Sequence, residues 1–216
     1  MSIWDKILFK DRSEISGEIK VAENSGIRRL IIGGFTQSQS LRSDGCTGQP
    51  CWDRMIPEDI SLREDSRVLI LGLGAGTVAK MLTRRFGPIA IDGVEIDPEV
   101  IKIAKNYFSL NEPNVNIIID DAIKFVKEAR FKYDLICIDL FMSNRAPPGV
   151  ETDEFFSSVK NLLKDGGRVT INKIFKGKQE LEDYENFINS IFSKVSFFIV
   201  RGSRTLDNVI VVAERA

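Results

Sequence analysis

Three glycines at alternate positions, Gly72, Gly74 and Gly76, lie between an apolar run and a segment with helical periodicity. The run is V-L-I-L at residues 68–71, and residues 77–86 place apolar side chains at helical spacing. A strand that enters a glycine turn and leaves as a helix lets backbone N–H groups approach a ligand at the positive end of the helix. The pattern predicts a nucleotide site at the carboxyl end of a buried strand.

The spacing of these glycines distinguishes between classes of nucleotide. The dinucleotide fingerprint has glycines at its first, third and sixth positions, and the sixth position counted from Gly72 is Thr77. A nicotinamide-dependent oxidoreductase is therefore disfavoured. The form G-x-G-x-G is common in folds that bind S-adenosylmethionine and its relatives, so we expect a nucleotide of this kind. The alternative is a glycine turn that binds no ligand.

Acidic residues follow the next two predicted strands. Glu95 ends the apolar segment 89–95, about 20 residues after the glycines, where α/β nucleotide sites place a carboxylate on the ribose hydroxyls. Asp120 and Asp121 follow the next strand, where an acid would face the adenine amino group and Ala122 would cover the ring. We choose Asp121 because it also opens the next helix. The alternative is that both aspartates only cap that helix.

Asp139 ends the fourth predicted strand and precedes a loop with two adjacent prolines, Pro147 and Pro148. An acid at this edge, beside the nucleotide and under a stiffened loop, is well placed to meet a second substrate. The chain has no histidine, which excludes serine–histidine and cysteine–histidine catalysis and imidazole zinc sites. An amine that attacks a sulfonium carbon needs little more than in-line positioning and a proton acceptor. We predict Asp139 as that catalytic residue, without a metal; the alternative is a strand-end acid that binds only backbone or co-substrate.

The predicted elements divide the chain at about residue 62. Residues 1–61 show alternating segments separated by glycines, which predicts a small antiparallel β unit. Residues 62–216 alternate strand and helix, which predicts an α/β, Rossmann-like domain with a mainly parallel sheet. Within it, Gly166 and Gly167 are expected to end a helix. The last two strands are too close for a parallel crossover and predict a C-terminal antiparallel hairpin.

These motifs together resemble the spermidine synthase superfamily, which contains aminopropyltransferases and methyltransferase-like relatives. The resemblance is carried by L-G-L-G-A-G-T, V-E-I-D-P-E-V-I, D-D-A, Y-D-L-I-C-I-D and L-L-K-D-G-G-R-V-T-I-N. It extends upstream to I-R-R-L-I-I-G-G-F-T-Q, where it implies that Gln37 touches the co-substrate. It also implies S-adenosylmethionine or its decarboxylated form as co-substrate, an amine as acceptor and a homodimer.

The chain departs from the aminopropyltransferase pattern at several acidic positions. Ala75 replaces the acid of the glycine loop, and the second acid after Asp139 is missing. The family's tyrosine–histidine–glutamate segment corresponds at best to Cys51, Trp52 and Asp53. A polyamine dication would lose much of its charge complement. The sequence therefore leaves open aminopropyl transfer, methyl transfer to another acceptor, and a non-catalytic nucleotide-binding module of the same fold.

Composition narrows the expected partners to small molecules. The net charge of −1 argues against nucleic acid or an anionic membrane as partner. No apolar run approaches the roughly 20 residues of a membrane span, and charged residues interrupt any signal peptide at the N-terminus. We expect a cytoplasmic protein. Cys46 and Cys51 lie close enough in sequence to pair, although cytosolic cysteines are usually reduced.

Overall fold

The structure, a computed structural model, describes residues 5–142, 145–201 and 207–215. Its N-terminal part is a four-stranded antiparallel sheet in which each strand pairs with the next along the chain. This confirms the predicted small β unit. The strands are β1 (Lys6–Ser13), β2 (Gly17–Asn24), β3 (Ile27–Ile32) and β4 (Phe35–Gln39).

The second sheet has seven strands in the order β10-β11-β9-β8-β5-β6-β7. Strands β5 to β9 run parallel, and β11 pairs antiparallel with both β9 and β10. The predicted α/β fold and its terminal hairpin are confirmed. The strands are β5 (Arg67–Leu71), β6 (Ala90–Glu95), β7 (Val115–Ile119), β8 (Tyr133–Ile138), β9 (Leu163–Phe175), β10 (Ser193–Val200) and β11 (Asp207–Glu214).

Six helices occur in the described residues, and the five that follow β5 cover both faces of the large sheet. Alternate residues of β5 and β8 belong to two separate cores, one on each face, which explains why these strands are apolar throughout. None of the described helices has both the length and the apolar character that a membrane crossing requires. The helices are α1 (Pro50–Asp53), α2 (Thr77–Phe86), α3 (Pro98–Phe108), α4 (Ala122–Glu128), α5 (Asp153–Leu162) and α6 (Lys178–Ile191).

The glycine pair Gly166–Gly167 does not end a helix, contrary to the sequence-based expectation. Helix α5 ends at Leu162, and β9 begins at the next residue. The pairing of β8 with β9 then shifts register, and the glycines lie in the resulting bulge. Gly166 has a φ of +71°, and a Cβ on Gly167 would lie 2.9 Å from the carbonyl oxygen of Tyr133. The bulge thus requires small residues, which explains the glycines without a helix terminus.

Hydrogen bonds fix the small sheet against the glycine loop of the large domain. The Ser38 hydroxyl of β4 accepts from the N–H of Ala75 at 2.9 Å. Next to it, the Thr77 hydroxyl donates to the carbonyl of Gln39 at 2.9 Å and accepts from its N–H at 3.0 Å. At the other end, the Ser13 hydroxyl donates to the buried carboxylate of Asp97. The small sheet is therefore held as one wall of the space above the large sheet.

Candidate active site

A cavity of about 370 Å³ lies at the carboxyl ends of the parallel strands β5, β6, β7 and β8. We call it the nucleotide cavity. The turn between β1 and β2 contributes to its wall through Ile15 and Ser16. The cavity brings together seven of the eight residues that the sequence analysis predicted for the site: Gln37, Gly72, Gly74, Glu95, Asp121, Ala122 and Asp139.

The eighth residue, Gly76, does not line the nucleotide cavity. It is the N-cap of α2 with a φ of +81°, and a Cβ there would lie 2.4 Å from Cδ1 of Leu110. Its small size lets the start of α2 pack on the core. The structure therefore gives Gly76 a packing role in the described conformation, away from the cavity in which we expected it.

Gly72 and Gly74 permit two close backbone contacts. Gly72 has a φ of +88°, and a Cβ on it would lie 2.2 Å from the carbonyl oxygen of Asp139. Gly74 has a φ of +55°, and its Cβ would lie 2.6 Å from the hydroxyl oxygen of Ser38. No L side chain fits either position without displacing its neighbour. The loop thus brings the glycine backbone, Asp139 and the small sheet together.

The backbone N–H groups of this loop are already hydrogen-bonded within the protein, which corrects the expectation that they face a ligand. The N–H groups of Gly72 and Leu73 donate to the carbonyl of Val94 at 3.0 and 2.9 Å. That of Gly74 donates to Glu95 Oε2 at 3.0 Å. The next two, from Ala75 and Gly76, donate to Ser38 Oγ and to the carbonyl of Leu73, both at 2.9 Å. The loop is therefore a surface for packing, with its five donors used.

Glu95 is held at the end of β6 by two backbone donors. Its Oε2 accepts from the N–H of Gly74, and its Oε1 accepts from the N–H of Asp97 at 3.1 Å. Burial raises the pKa of Glu95, and these hydrogen bonds oppose that rise. A fixed carboxylate on the cavity wall is suited to a pair of ribose hydroxyls, and this role remains a prediction.

Asp120 and Asp121 both line the nucleotide cavity, and Asp121 is also the N-cap of α4. Its Oδ1 accepts from the N–H of Ile123 at 2.6 Å. Asp120 Oδ1 accepts from the N–H of Asp121 at 2.9 Å and from Nζ of Lys124 at 3.4 Å. Capping and contact with the cavity are thus combined in Asp121, so neither of the two predicted roles excludes the other.

Asp139 is held by two side-chain donors from distant parts of the chain. Its Oδ1 accepts from Nδ2 of Asn172 at 2.8 Å, and its Oδ2 accepts from Nε1 of Trp52 at 3.2 Å. Asn208 in turn donates to Oδ1 of Asn172 at 2.7 Å. Burial raises the pKa of Asp139 to about 6, and the hydrogen bonds from Asn172 and Trp52 limit the rise. Such a carboxylate is oriented, ionised at neutral pH and able to accept a proton.

Asn172, Asn208 and Trp52 were not predicted from the sequence as partners of this carboxylate. Asn172 ends the apolar part of R-V-T-I-N, so a polar residue at the end of a buried strand was available as a signal. Trp52 lies 87 residues before Asp139. It is the buried residue of the short helix α1, and its indole donates directly to Asp139.

A second cavity, of about 300 Å³, adjoins the first at Asp139, Gln37 and Phe141, which line both. We call it the acceptor cavity. Its wall includes Cys51, whose pKa burial raises to about 12, so that its thiol stays protonated. Cys46 and Cys51 are free thiols. The other lining residues are mostly polar and uncharged: Thr36, Gln39, Gln49, Asn172 and Asn208, with Arg29, Phe35, Trp52 and Ile174.

The charged residues that line the nucleotide cavity are acidic, although Lys124, outside the lining, pairs with Asp120 at 3.4 Å. Four carboxylates line it, and no lysine or arginine is among its lining residues in the described ranges. A ligand with positive charge is therefore favoured there. Across the same ranges, no group of three or more acidic, cysteine or histidine side chains is arranged to hold a metal ion. The carboxylates are those of Glu95, Asp120, Asp121 and Asp139.

Comparison with known proteins identifies relatives of this chain. The profile of the spermine/spermidine synthase domain matches residues 58–212. A polyamine aminopropyltransferase from Vibrio vulnificus is 30% identical over 198 residues, which cover 86% of this chain and 64% of that protein. The chain spans between 36% and 64% of the length of the first four curated relatives that it matches.

Solved structures with the same fold are also found. A probable spermidine synthase from Corynebacterium glutamicum superposes with a TM-score of 0.80 at 20% identity, over 98% of this chain and 80% of the other. A spermidine synthase in complex with the transition-state analogue AdoDATO superposes with a TM-score of 0.76 at 17% identity. The superposition covers 97% of this chain and 74% of the other. With the profile match over most of its length, the chain belongs to the spermine/spermidine synthase domain family.

Proposed function

We propose that this protein transfers an aminopropyl group from decarboxylated S-adenosylmethionine to the amine of a small acceptor. The observation that carries the proposal is the charge of the nucleotide cavity, in which four carboxylates face no lysine or arginine among the described lining residues. The Vibrio vulnificus relative is named a polyamine aminopropyltransferase, which supports the same reaction. A cytoplasmic location and a homodimer remain predictions.

The two sulfonium nucleotides differ in the charge of the arm that the cavity must hold. Intact S-adenosylmethionine carries a carboxylate on this arm, and the decarboxylated form carries only an ammonium beside the sulfonium. A bound carboxylate requires a cation or free N–H donors. The lining residues described here include no cation, and the five N–H groups from Gly72 to Gly76 are already bonded. The cavity therefore favours the decarboxylated nucleotide.

Ala75, which replaces an acid of the family pattern, does not weigh against this choice. Ala75 was one of the missing acids that left methyl transfer open, on the condition that it lies beside the transferred arm. In the structure Ala75 is buried in the core and does not line the nucleotide cavity. The negative charge of the cavity comes from strand ends instead, and Asp139 supplies it where the two cavities meet.

The mechanism requires one proton acceptor and correct placement of two substrates. The lone pair of the acceptor amine forms an N–C bond to the carbon next to sulfur. The C–S bond breaks with its electron pair going to sulfur, and a neutral thioether leaves. As the N–C bond forms, a proton of the amine passes to Asp139, which releases it to water. Asn172 and Trp52 orient the carboxylate, and the fixed geometry provides most of the acceleration.

Calorimetric titration with the two nucleotides tests the choice of co-substrate. We expect decarboxylated S-adenosylmethionine to bind at least about tenfold more tightly than the intact form, a difference of about 1.4 kcal/mol. The Glu95→Gln variant serves as a control for the binding site, because both forms share the ribose and should lose affinity equally. Equal binding of the two forms, or tighter binding of the intact one, would contradict the proposal.

A further inference from the structure

We propose that the acceptor is a monoamine whose far end carries an oxygen that accepts hydrogen bonds, a carboxylate or hydroxyl, in place of a second ammonium. Arg29 and the amide side chains of the acceptor cavity would bind this end. The inference rests on the proposed function and specifies its second substrate. It follows from the groups that line the acceptor cavity and from those that do not.

The acceptor cavity offers one carboxylate. Asp139 is the only acidic side chain among its described lining residues, and it lies at the boundary with the nucleotide cavity. The segments outside the described ranges contain no aspartate or glutamate in the sequence. When Asp139 accepts the proton of the attacking amine, a second ammonium at the far end has no carboxylate partner. A diamine would therefore bury a charge that is poorly compensated.

Asp53, which follows the cavity-lining residue Trp52 in the sequence, is used elsewhere. Its Oδ1 accepts from the N–H and the hydroxyl of Thr47, both at 2.8 Å. Its Oδ2 accepts from the N–H of Gly48 at 2.9 Å. Asp53 does not line the acceptor cavity. The residue that corresponds at best to the acidic end of the family's segment thus holds the loop before α1 and is not free to bind a cationic substrate.

Arg29 is the basic residue of the acceptor cavity in the described ranges, and it does not line the nucleotide cavity. Its terminal NH2 group donates to Asp5 Oδ1 at 2.5 Å. Its Nε makes no hydrogen bond among the described residues, but it has almost no exposed surface. The side chain as a whole is 28% exposed, so a ligand oxygen would contact the exposed part of the guanidinium and not Nε. Asp5 compensates part of its charge, and the guanidinium offers an ammonium no hydrogen-bond acceptor.

Amide side chains complete a neutral wall around this arginine. Gln39 lies opposite Arg29 in the pairing of β3 with β4, and Gln49, Asn172 and Asn208 line the same cavity. Amides both donate and accept hydrogen bonds, but they carry no charge to balance an ammonium. The NH2 groups of Gln39, Asn172 and Asn208 each make one hydrogen bond within the protein and keep a second hydrogen for a ligand oxygen. The polarity therefore changes along the cavity, from a carboxylate at the reacting end to an arginine with amides beyond it.

Three acceptors of equal chain length test the inference. The enzyme is supplied with decarboxylated S-adenosylmethionine and either 1,4-diaminobutane, 4-amino-1-butanol or 4-aminobutanoate, and kcat/KM is obtained from thioether release. We expect at least one oxygen-bearing acceptor to exceed the diamine by about tenfold or more. The better of the two identifies the far group as hydroxyl or carboxylate. A diamine that equals or exceeds both would overturn the inference, as would turnover with none while the nucleotide binds.

Failure of the nucleotide itself to bind would instead contradict the proposed function, so the two failures are distinguishable.

A gain-of-function variant adds a second test. Gln49 lies at the start of α1, is exposed and makes no side-chain capping bond, so Gln49→Glu adds a carboxylate to the wall without removing a structural contact. We expect this variant to raise kcat/KM for the diamine relative to 4-aminobutanoate by about tenfold. An unchanged ratio would count against the inference.

A loss-of-function pair tests Arg29 directly. Arg29→Met should lower kcat/KM for 4-aminobutanoate more than for the diamine. Arg28→Met is the matched control on the same strand, because Arg28 bonds Glu23 and the carbonyl of Tyr107 and does not line the cavity. The control should leave the preference unchanged. If the two variants changed the ratio of kcat/KM for 4-aminobutanoate to that for the diamine equally, Arg29 would not contact the far end of the acceptor.

Discussion

Replacing Asp139 with asparagine is expected to lower kcat/KM by about 100- to 10,000-fold, the range typical of a lost general base. Asparagine keeps the size of the side chain but cannot accept the amine proton. Binding of decarboxylated S-adenosylmethionine should weaken by less than about tenfold, because the other three carboxylates of the nucleotide cavity remain. Steady-state kinetics and calorimetric titration of the variant measure the two effects separately.

The pH profile distinguishes loss of the base from general damage to the site. With the pKa of Asp139 at about 6, the plot of log kcat/KM against pH should steepen below pH 6 as the carboxylate becomes protonated. Asn172→Ala removes a hydrogen bond that favours the ionised form and should move this bend to higher pH. A non-catalytic binding module predicts no turnover in the wild type. If Asp139→Asn kept turnover close to that of the wild type, Asp139 would be only a structural acid.

Replacing Gly72 with alanine is expected to lower the free energy of unfolding by about 3 kcal/mol or more and to abolish turnover. The φ of +88° accounts for about 1–2 kcal/mol of this loss. The remainder comes from the new Cβ, which would lie 2.2 Å from the carbonyl oxygen of Asp139 and must displace the strand end that carries the catalytic carboxylate. Denaturant unfolding gives the first quantity, and the thioether assay gives the second.

Gly26 provides the matched control for the cost of placing alanine at a positive φ. Its φ of +77° is similar, but a Cβ there has no atom within 4 Å. The Gly26→Ala variant should therefore lose only about 1–2 kcal/mol of its free energy of unfolding, which is the cost of the positive φ. It should keep its turnover. If the two alanine variants were equally stable, the close contact between Gly72 and Asp139 would not be a constraint on the site.

Local patterns in the sequence were sufficient to predict the large sheet and most of the nucleotide cavity. Apolar strands, helix caps such as Asp121 and the acids at strand ends depend on neighbours a few residues away. Parallel strands bring their carboxyl ends to one edge, so Glu95, Asp121 and Asp139 meet without further information. The boundary at Gly166–Gly167 was wrong because a bulge depends on the partner strand, which the local pattern does not contain.

The use of each hydrogen-bonding group could not be predicted in the same way. The sequence places glycines where N–H groups approach a ligand, but Val94, Glu95 and Ser38 accept those hydrogen bonds in the folded protein. The contacts of Asp139 with Trp52 and Asn172 join residues far apart in the chain. The acceptor cavity itself combines loop, small-sheet and large-sheet residues. Such long-range packing determines which substrate the common fold accepts.

The most direct test of aminopropyl transfer is identification of the product formed when both nucleotides are present. The protein is incubated with equal amounts of S-adenosylmethionine and its decarboxylated form, together with the amine that is turned over best. Mass spectrometry then shows which group the acceptor has gained. We predict an aminopropyl group, and an acceptor that gained a methyl group would contradict the account.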